Sequence, residues 1–288
     1  MLYALGHGDQ LVARSHACDF PASALAIPSC TEVKAALPGI GYSLGERLKA
    51  LVQESLSPHR VDAQLLRDLR PEIIFTRYDL PFAGITAADL EKAVAEWFGT
   101  GVRLIPLDIM RISDLWPAFR EIAAEMGTPD EGVRIAMQLQ QRMAAIVRQA
   151  AVCSQRPRVA CLSRLSPPSL AGGFMPELIE MAGAKHVPGG TQARSEIAWE
   201  DLHAAQADVL LLMLGNENRG REAAAAIENR DEWNSLPAVA SGNVALCLGG
   251  TLFTRLGPRV ADALEAAAEI AHPDEFQFGH CGQSWQPL

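Results

Sequence analysis

The chain has 288 residues, 49% of them hydrophobic and 20% charged, which is enough for one large or two medium globular domains. Its net charge of −9 argues against a nucleic-acid-binding protein, because such proteins need a basic face. No segment approaches the roughly 18 apolar residues of a membrane span, so we predict no membrane insertion.

The first 127 residues alternate short apolar runs with amphipathic segments. Asp62 should cap a short helix that reaches Leu69, and Ser113 should cap another that reaches Met126. The run at 73–76 is too apolar and too short for anything but a buried parallel strand. The other predicted elements are a helix end at 2–5, a short strand at 10–14, helices from Ser43 and from Thr86 or Asp89, and a strand at 102–107.

Residues 128–152 form the longest predicted element, and the two halves are arranged around it. Thr128, Pro129 and Glu131 fit a capping box with proline at the first helical position. Apolar residues then recur at three- and four-residue steps from Val133 onward, with no proline before Pro157. Such a helix would be roughly 35 Å long, so it could join two lobes.

The same alternation returns after this helix. Residues 163–173 are expected to be a loop, and the tail from His272 is expected to be irregular. Strands that alternate with helices imply an α/β fold with parallel sheets, and the long helix could span two lobes of this kind. The expected domains are residues 1–127, 128–152 and 153–288. The predicted strands are 158–162, 209–213 and 244–248, and the predicted helices are 175–182, 199–205, 222–227 and 258–271.

The two halves of the sequence have the same order of predicted elements, except that the first half lacks an opening strand. The second half begins with the strand at 158–162, whereas the first half begins inside the helix that should follow such a strand. We therefore expect the natural start to lie upstream, with one more apolar strand and a polar loop. No export signal opens the chain, so it is expected to be cytoplasmic as it reads, or periplasmic or at the cell surface if the upstream segment carries a signal.

Six cysteines stand singly, without the CxxC spacing of a zinc or redox site, and a disulfide framework is not expected. Cys161 and Cys247 lie in apolar strand-like runs and are predicted to be small buried hydrophobic residues. The chain contains no GxSxG, HExxH, P-loop or dinucleotide-binding motif. We therefore predict a protein that is not an enzyme and that has no catalytic cofactor and no metal site.

Aromatic residues recur where a ligand would bind. In open parallel sheets, ligands lie beyond the carboxyl ends of the strands, and the loops there carry aromatic side chains. This suggests a large, flat, partly apolar ligand, although each ring could instead belong to the local core. The residues are Phe20, Tyr78, Phe82, Phe174, Trp199 and Phe253.

Polar side chains in these loops could also contact a ligand. His16, close to Asp19, could ligate a cofactor metal, but no second ligand pair sits at a fixed spacing. A hydrogen-bonded loop histidine is therefore favoured. Arg255 and Arg259, at the start of the last helix, could meet an amide, carboxylate or phosphate of a ligand, and a surface ion pair is the alternative for both.

Four motifs resemble those of one protein family. They are LGHGDQLVAR followed by SHACDFP at 5–21, LLRDLRPEII at 65–74, WE at 199–200 before ADVL at 207–210, and GPR at 257–259. They resemble the cobalamin and iron-siderophore substrate-binding proteins of ABC importers, in particular the cobalamin (vitamin B12) branch. The resemblance covers nearly the whole chain and implies two Rossmann-like lobes joined by one rigid helix, with a corrinoid held between them.

The resemblance also implies roles for individual residues. In the first lobe it assigns ligand binding to the loop at 15–21, with Ser15, His16, Asp19 and Phe20 as the contact residues. In the second lobe it assigns the same role to the loop at 167–174, which ends at Phe174.

Further positions carry over from the same family. Phe253 would be the ligand-binding aromatic residue before the last helix. The acidic residues that dock on the importer permease would be Asp89 or Glu91 on one lobe and Glu200 on the other. The chain departs from many relatives in two ways, because it lacks their cysteine pair at 79–82 and their opening strand.

The predicted function is therefore that of a non-catalytic substrate-binding protein that delivers a corrinoid to an ABC importer. The alternative is a cytoplasmic protein that handles a corrinoid or metal chelate without an importer, which the missing export signal favours. A chelatase-like enzyme is the least supported hypothesis, because no convincing general base pairs with a set of metal ligands.

Overall fold

The computed structural model describes residues 1–32, 60–77, 101–189, 195–215, 217–249 and 252–288. The chain forms two compact units. The first comprises Met1–Ile109 and Glu121–Gly132, and the second comprises Met110–Arg120 and Val133–Leu288. The predicted α/β class with parallel sheets is confirmed.

The first unit contains two short sheets within its described residues. Strand β1 (Thr31–Glu32) pairs antiparallel with β2 (Arg60–Val61), and β3 (Ile73–Arg77) pairs parallel with β4 (Arg103–Leu107). These last two strands lie where the sequence predicts them, although the side chains at 73–76 are half-buried rather than buried.

Helix α1 (Ala63–Leu69) in the first unit begins with the predicted N-cap residue, Asp62. The Leu65 N–H donates to the Asp62 carboxylate over 2.9 Å. Such a cap satisfies one of the helix's unpaired amide groups. The helix ends at Arg70, which adopts the left-handed conformation with φ of 47°.

The predicted strand at 10–14 is wrong. The chain forms turns at 2–6 and a 3₁₀ helix at Gly8–Gln10, and Arg14 makes a single bridge with Ser29. His7 explains this local structure, because its buried ring lies 2.8 Å from the Thr128 hydroxyl through Nε2 and 3.2 Å from the Gln10 amide nitrogen through Nδ1. Side-chain hydrogen bonds of this kind compete with an extended backbone.

Helix α2 (Leu115–Glu125) begins differently from its prediction. The residue that organises its start is Asp114, whose carboxylate accepts the N–H groups of Met110 and Arg111 over 3.0 and 2.7 Å. Ser113 lies inside a short 3₁₀ turn, Ile112–Asp114, that leads into the helix. The predicted cap at Ser113 is therefore wrong, because the longer acidic side chain of its neighbour reaches two amide groups.

Helix α3 (Pro129–Ala150) is the predicted long helix, with 22 residues and a length of about 33 Å. Its buried face is formed by Ala136, Met143, Ile146 and Ala150, whereas Val133 is 44% exposed. The Thr128 hydroxyl bonds His7 and the Ala123 carbonyl. It thereby ties the N-terminal segment to the start of the helix.

The second unit is built on a seven-stranded mixed sheet of order β11-β10-β9-β5-β6-β8, with β7 paired to β5. Strands β5, β7, β9 and β10 pair in parallel, and β6, β8 and β11 are antiparallel to their neighbours. The strands are β5 (Arg158–Leu165), β6 (Pro168–Leu170), β7 (Lys185–His186), β8 (Ser195–Glu196), β9 (Val209–Leu212), β10 (Val244–Cys247) and β11 (Trp285–Pro287).

Among the described residues after position 158, helices α4 to α9 accompany this sheet. Leu162, Leu210, Leu246 and Trp233 belong to the central core of the unit. Every residue of the last helix is buried except Asp262. Within the described part of the chain, no helix is both long and apolar enough to cross a membrane. The helices are α4 (Met175–Met181), α5 (Trp199–Ala204), α6 (Glu217–Ala225), α7 (Asp231–Asn234), α8 (Pro237–Ala240) and α9 (Val260–Ala271).

Two predictions for the second unit are wrong. The loop predicted at 163–173 is largely a hairpin, because β5 continues to Leu165, which pairs with Pro168 of β6. The tail is not irregular throughout, because β11 pairs with β10. The buried Glu269 carboxylate fixes the tail by accepting the Gly279 N–H over 2.6 Å and the Trp285 indole N–H over 3.1 Å.

Candidate functional site

The loop at 15–21 in the first unit is held by one guanidinium group. Arg14 donates from Nε to the Ile27 carbonyl over 3.1 Å and from Nη1 to the Ser15 and Cys18 carbonyls over 3.0 and 3.1 Å. Three backbone carbonyl groups of this region therefore accept hydrogen bonds from the same Arg14 side chain. The loop is therefore ordered by its own sequence, since arginine offers several donors in a fixed fork.

His16 is a hydrogen-bonded loop histidine in the structure. Its Nδ1 lies 2.7 Å from the Thr31 hydroxyl, which also accepts the His16 backbone N–H over 2.9 Å. The same hydroxyl lies 3.0 Å from the Ser15 hydroxyl. Ser15 and His16 are therefore positioned together by a residue of β1, and ligand contact by either remains a prediction.

Asp19 and Phe20 project from the same loop. Both are exposed, and Phe20 as a residue is 55% exposed. An aromatic ring this exposed on an ordered loop can bury apolar surface against a flat ligand at little cost to the fold.

The aromatic candidates of the second unit occupy different environments. Phe174 and Phe253 are 6% and 2% exposed, so both pack inside this unit. Trp199 is half-buried, and the Arg230 guanidinium lies over its ring at 5.7 Å from the centroid. Arg255 is exposed. Trp199 is therefore the aromatic candidate in this unit with both accessible surface and a fixed orientation.

A cavity of about 360 Å³ lies between the β5–β6 hairpin and α6. Its apolar wall includes Leu165 and Ile227, which are 2% and 3% exposed. Three arginine side chains also line it, Arg164, Arg219 and Arg230. This volume falls in the range of small-molecule sites.

Sequence reasoning missed these three arginines. Arg164 lies near the carboxyl end of β5, and Arg219 follows the end of β9 by a few residues. Both could have been predicted as ligand-site residues from the sequence, because they follow apolar strands and ligands bind at the carboxyl edge of a parallel sheet. Arg230 could not have been predicted in this way, because it follows no strand and lines the cavity only through the packing of the segment after α6.

Glu200, the predicted docking acid of the second lobe, is exposed in the first turn of α5 beside Asp201. Carboxylates at this end of a helix are favourable because the N-terminus carries partial positive charge. Tyr78, Phe82, Asp89 and Glu91 lie outside the described residues, as do the helices predicted from Ser43 and from Thr86 or Asp89.

The cysteines and the possible metal ligands complete the description of reactive groups. All six cysteines are free thiols, and Cys161 and Cys247 are buried as predicted. Burial raises the pKa of the Cys161 thiol to about 12 and also raises the pKa of Cys247, so neither is a nucleophile at neutral pH. In the described parts of both units, no three His, Cys, Asp or Glu side chains group as metal ligands.

Comparison with known proteins gives a family match. The model of a family described as "Periplasmic binding protein" matches residues 1–248, whereas no curated protein matches the chain.

Solved structures share the fold at low sequence identity. A periplasmic heme-binding protein from Pseudomonas aeruginosa is 19% identical with a TM-score of 0.70, over 95% of this chain and 89% of its own. The vitamin B12-binding protein BtuF of Vibrio cholerae is 19% identical with a TM-score of 0.65, over 96% and 93%. The heme-binding protein RhuT from Roseiflexus sp. RS-1 is 20% identical with a TM-score of 0.68, over 94% of each chain.

Proposed function

The chain belongs to the periplasmic binding protein family, and on this premise we propose that it is a non-catalytic binding protein that delivers a corrinoid to an ABC importer. The observation that carries this proposal is the family match over residues 1–248. The mixed α/β fold with parallel-rich sheets is consistent with the two-lobe fold of that family.

The structural neighbours support a tetrapyrrole as the class of ligand. One of the neighbours described above is a vitamin B12-binding protein and two are heme-binding proteins, and both ligands are large, flat macrocycles around a metal ion. A cobalamin-like corrinoid is the proposed ligand, in line with the motifs at 5–21 and 257–259. Heme is the second candidate, because the neighbours from Pseudomonas aeruginosa and Roseiflexus sp. RS-1 are heme-binding proteins.

Four described residues, three in the loop at 15–21 and one at the start of α5, are proposed to contact the ligand. Phe20 and Trp199 offer accessible ring surface, and Ser15 and His16 offer polar atoms held by Thr31. Burial makes Phe174 and Phe253 poor choices for alanine substitution, because removing a core phenylalanine costs about 3–5 kcal/mol of stability.

Delivery to an importer requires a docking surface for the permease. Glu200 is proposed as the docking acid of the second unit, since its exposure leaves it accessible to an arginine of a permease. Asp89 or Glu91 is proposed for the first unit. In this proposal the protein works in the periplasm or at the cell surface, and cell fractionation with an antibody against the protein tests that location.

Thermal unfolding with added ligand tests the proposal. A ligand that binds only the folded state stabilises it by about 2.7 kcal/mol at a concentration of about 100 Kd. Cyanocobalamin should therefore raise the melting temperature and quench the fluorescence of the five tryptophans. A larger effect of hemin than of cyanocobalamin would favour the second candidate, and a lack of effect from both would contradict the proposal.

Phe20→Ala should weaken corrinoid binding by about 1–3 kcal/mol, the usual effect of truncating an aromatic anchor. The melting temperature of the ligand-free protein should change little, because Phe20 is 55% exposed. The matched control is Leu25→Ala, since Leu25 is 56% exposed in the neighbouring 3₁₀ helix Ala22–Ala26 and has no proposed contact. Equal affinities for the two variants would remove Phe20 from the site.

A further inference from the structure

The cavity of the second unit lies at the edge of the sheet where ligands are expected. Strands β5 and β9 run parallel, with Leu162 opposite Leu212. The cavity is lined by the residues that follow on each strand, Leu165 on β5 and Leu214 after β9. Side chains beyond the carboxyl ends of neighbouring parallel strands form the usual ligand crevice of such sheets.

The charged residues that line this cavity are all basic, although the chain as a whole is acidic. The protein carries 34 acidic and 25 basic residues, yet none of the residues that line the cavity, all of them described, is acidic. Three lining residues are arginines from three segments, namely β5, α6 and the segment before α7. A surface of this sign in an acidic protein selects an anionic group.

Two of the arginines are held in place by other contacts. Arg164 donates from Nε to the Pro167 carbonyl over 3.1 Å and forms an ion pair with Glu196. The Arg230 guanidinium lies on the face of Trp199, 5.7 Å from the centroid, and its Nε lies 3.8 Å from the Glu232 carboxylate. Because these side chains are already ordered, less conformational entropy is lost when they bind an anion.

The remainder of the cavity is apolar. Leu165, Leu214, Ala223 and Ile227 supply a hydrocarbon surface beside the guanidinium groups. A free inorganic anion would make no favourable contact with this apolar surface. A ligand with an anionic group on an apolar body could contact both the arginines and the apolar residues of the cavity.

We infer that this cavity binds an anionic oxygen group of the ligand, a carboxylate or a phosphodiester, together with the adjoining apolar part of the molecule. The inference rests on the proposed function, since the ligand is the proposed tetrapyrrole. The two sources of the anion differ chemically. Cobalamin carries one phosphodiester in its nucleotide loop, and heme carries two carboxylates.

Paired ligands test the inference on the full-length protein. Cyanocobalamin is compared with cobinamide, which lacks the whole nucleotide loop including its phosphodiester, and hemin is compared with its dimethyl ester, which lacks the free carboxylates. The anionic member of a pair should bind about tenfold more tightly, as expected for a hydrogen bond to a charged group. A difference only in the first pair that is lost in Arg219→Gln identifies the phosphodiester of the nucleotide loop, and one only in the second pair that is lost in Arg219→Gln identifies the carboxylates.

Arginine variants test whether the difference in affinity between the paired ligands arises in this cavity. Arg219→Gln and Arg230→Gln should each remove most of the tenfold preference, and Arg230→Lys should retain part of it because the charge remains. The matched control is Arg221→Gln, since Arg221 lies on the same helix as Arg219, pairs with Glu217 and does not line the cavity. Melting temperatures of all variants without ligand are measured to exclude loss of the fold.

The outcomes separate this inference from the proposed function. If the wild-type protein binds both members of each pair equally, or if Arg219→Gln weakens both members alike, the inference is overturned and the proposed function stands. If the wild-type protein binds no tetrapyrrole, both are overturned. A preference that survives Arg221→Gln and disappears in Arg219→Gln supports the inference.

Discussion

His186 is a single residue whose environment predicts a pH effect on stability. It is 4% exposed on β7, and neither ring nitrogen has a hydrogen-bond partner among the described residues. Burial lowers the pKa of its imidazole, and the negative charge of Glu180 opposes this only in part. The folded protein therefore prefers the neutral ring, whereas the unfolded chain takes up a proton near pH 6.5.

We predict that stability falls as the pH drops below about 6.5, because the unfolded state then binds more protons than the folded state. His186→Leu should flatten the stability profile between about pH 7 and 5, and it should not destabilise the protein at pH 7, since no hydrogen bond is lost. Urea unfolding at several pH values measures this. His203→Gln, at an exposed position, is the control and should keep the wild-type profile.

The cysteines give a second prediction at this scale. Cys18 and Cys281 are exposed, whereas Cys161 and Cys247 are buried with raised pKa values. A thiol reagent should modify the first two quickly in the native protein and the last two only after unfolding, because the thiolate is the reactive form. Mass spectrometry of the modified peptides identifies the sites. Rapid modification of Cys161 in the native state would contradict the packing of β5.

At the scale of elements, a charged cluster joins α3 to α9 and the tail. Arg142 of α3 donates to both oxygens of Glu265 over 2.8 and 2.5 Å, and His280 of the tail lies 3.0 Å from the same carboxylate. Burial alone would raise the pKa of Glu265, but the hydrogen bonds and charges of Arg142 and His280 bring it below its ordinary value.

Glu265→Gln should lower the free energy of unfolding by about 2 kcal/mol at pH 7, within the range for lost hydrogen bonds to a charged group. The pKa of Glu265 is lowered in the folded state, so its contribution is present above the unfolded value near 4.3 and is lost as the pH falls below it. The difference between variant and wild type should therefore shrink in acid. Glu217→Gln, which breaks an exposed pair with Arg221, should leave the melting temperature nearly unchanged.

The elements that the sequence predicted correctly depend on local interactions. Asp62 caps α1 through an amide three residues away, and the long helix follows from its own periodicity. The missed elements depend on distant partners. Strand β11 forms because Glu269 on α9 fixes the Trp285 indole, a contact that no local pattern encodes.

The prediction of a loop at 163–173, where the structure has the β5–β6 hairpin, was wrong for a different reason. Its Ser-Pro-Pro sequence at 166–168 is typical of a loop, and proline is disfavoured in strands. Pro168 is tolerated because it starts β6, where the ring occupies the first position of the strand.

At the scale of the molecule, the family and class of fold were predictable, whereas the cavity was not. The motifs at 5–21 and 257–259 lie in continuous stretches of sequence, so they are readable without a structure. The cavity brings together Arg164, Arg219 and Arg230 from segments up to 66 positions apart, and only the parallel pairing of β5 and β9 brings two of those segments together.

Isothermal titration calorimetry of the full-length protein with cyanocobalamin tests the proposed function most directly. We predict a single site per chain with a Kd of about 1 μM or lower, which corresponds to at least about 8 kcal/mol of binding free energy. Hemin is titrated in parallel as the competing ligand. Absence of binding heat for both ligands at about 100 μM, confirmed by equilibrium dialysis, would contradict a role in tetrapyrrole binding.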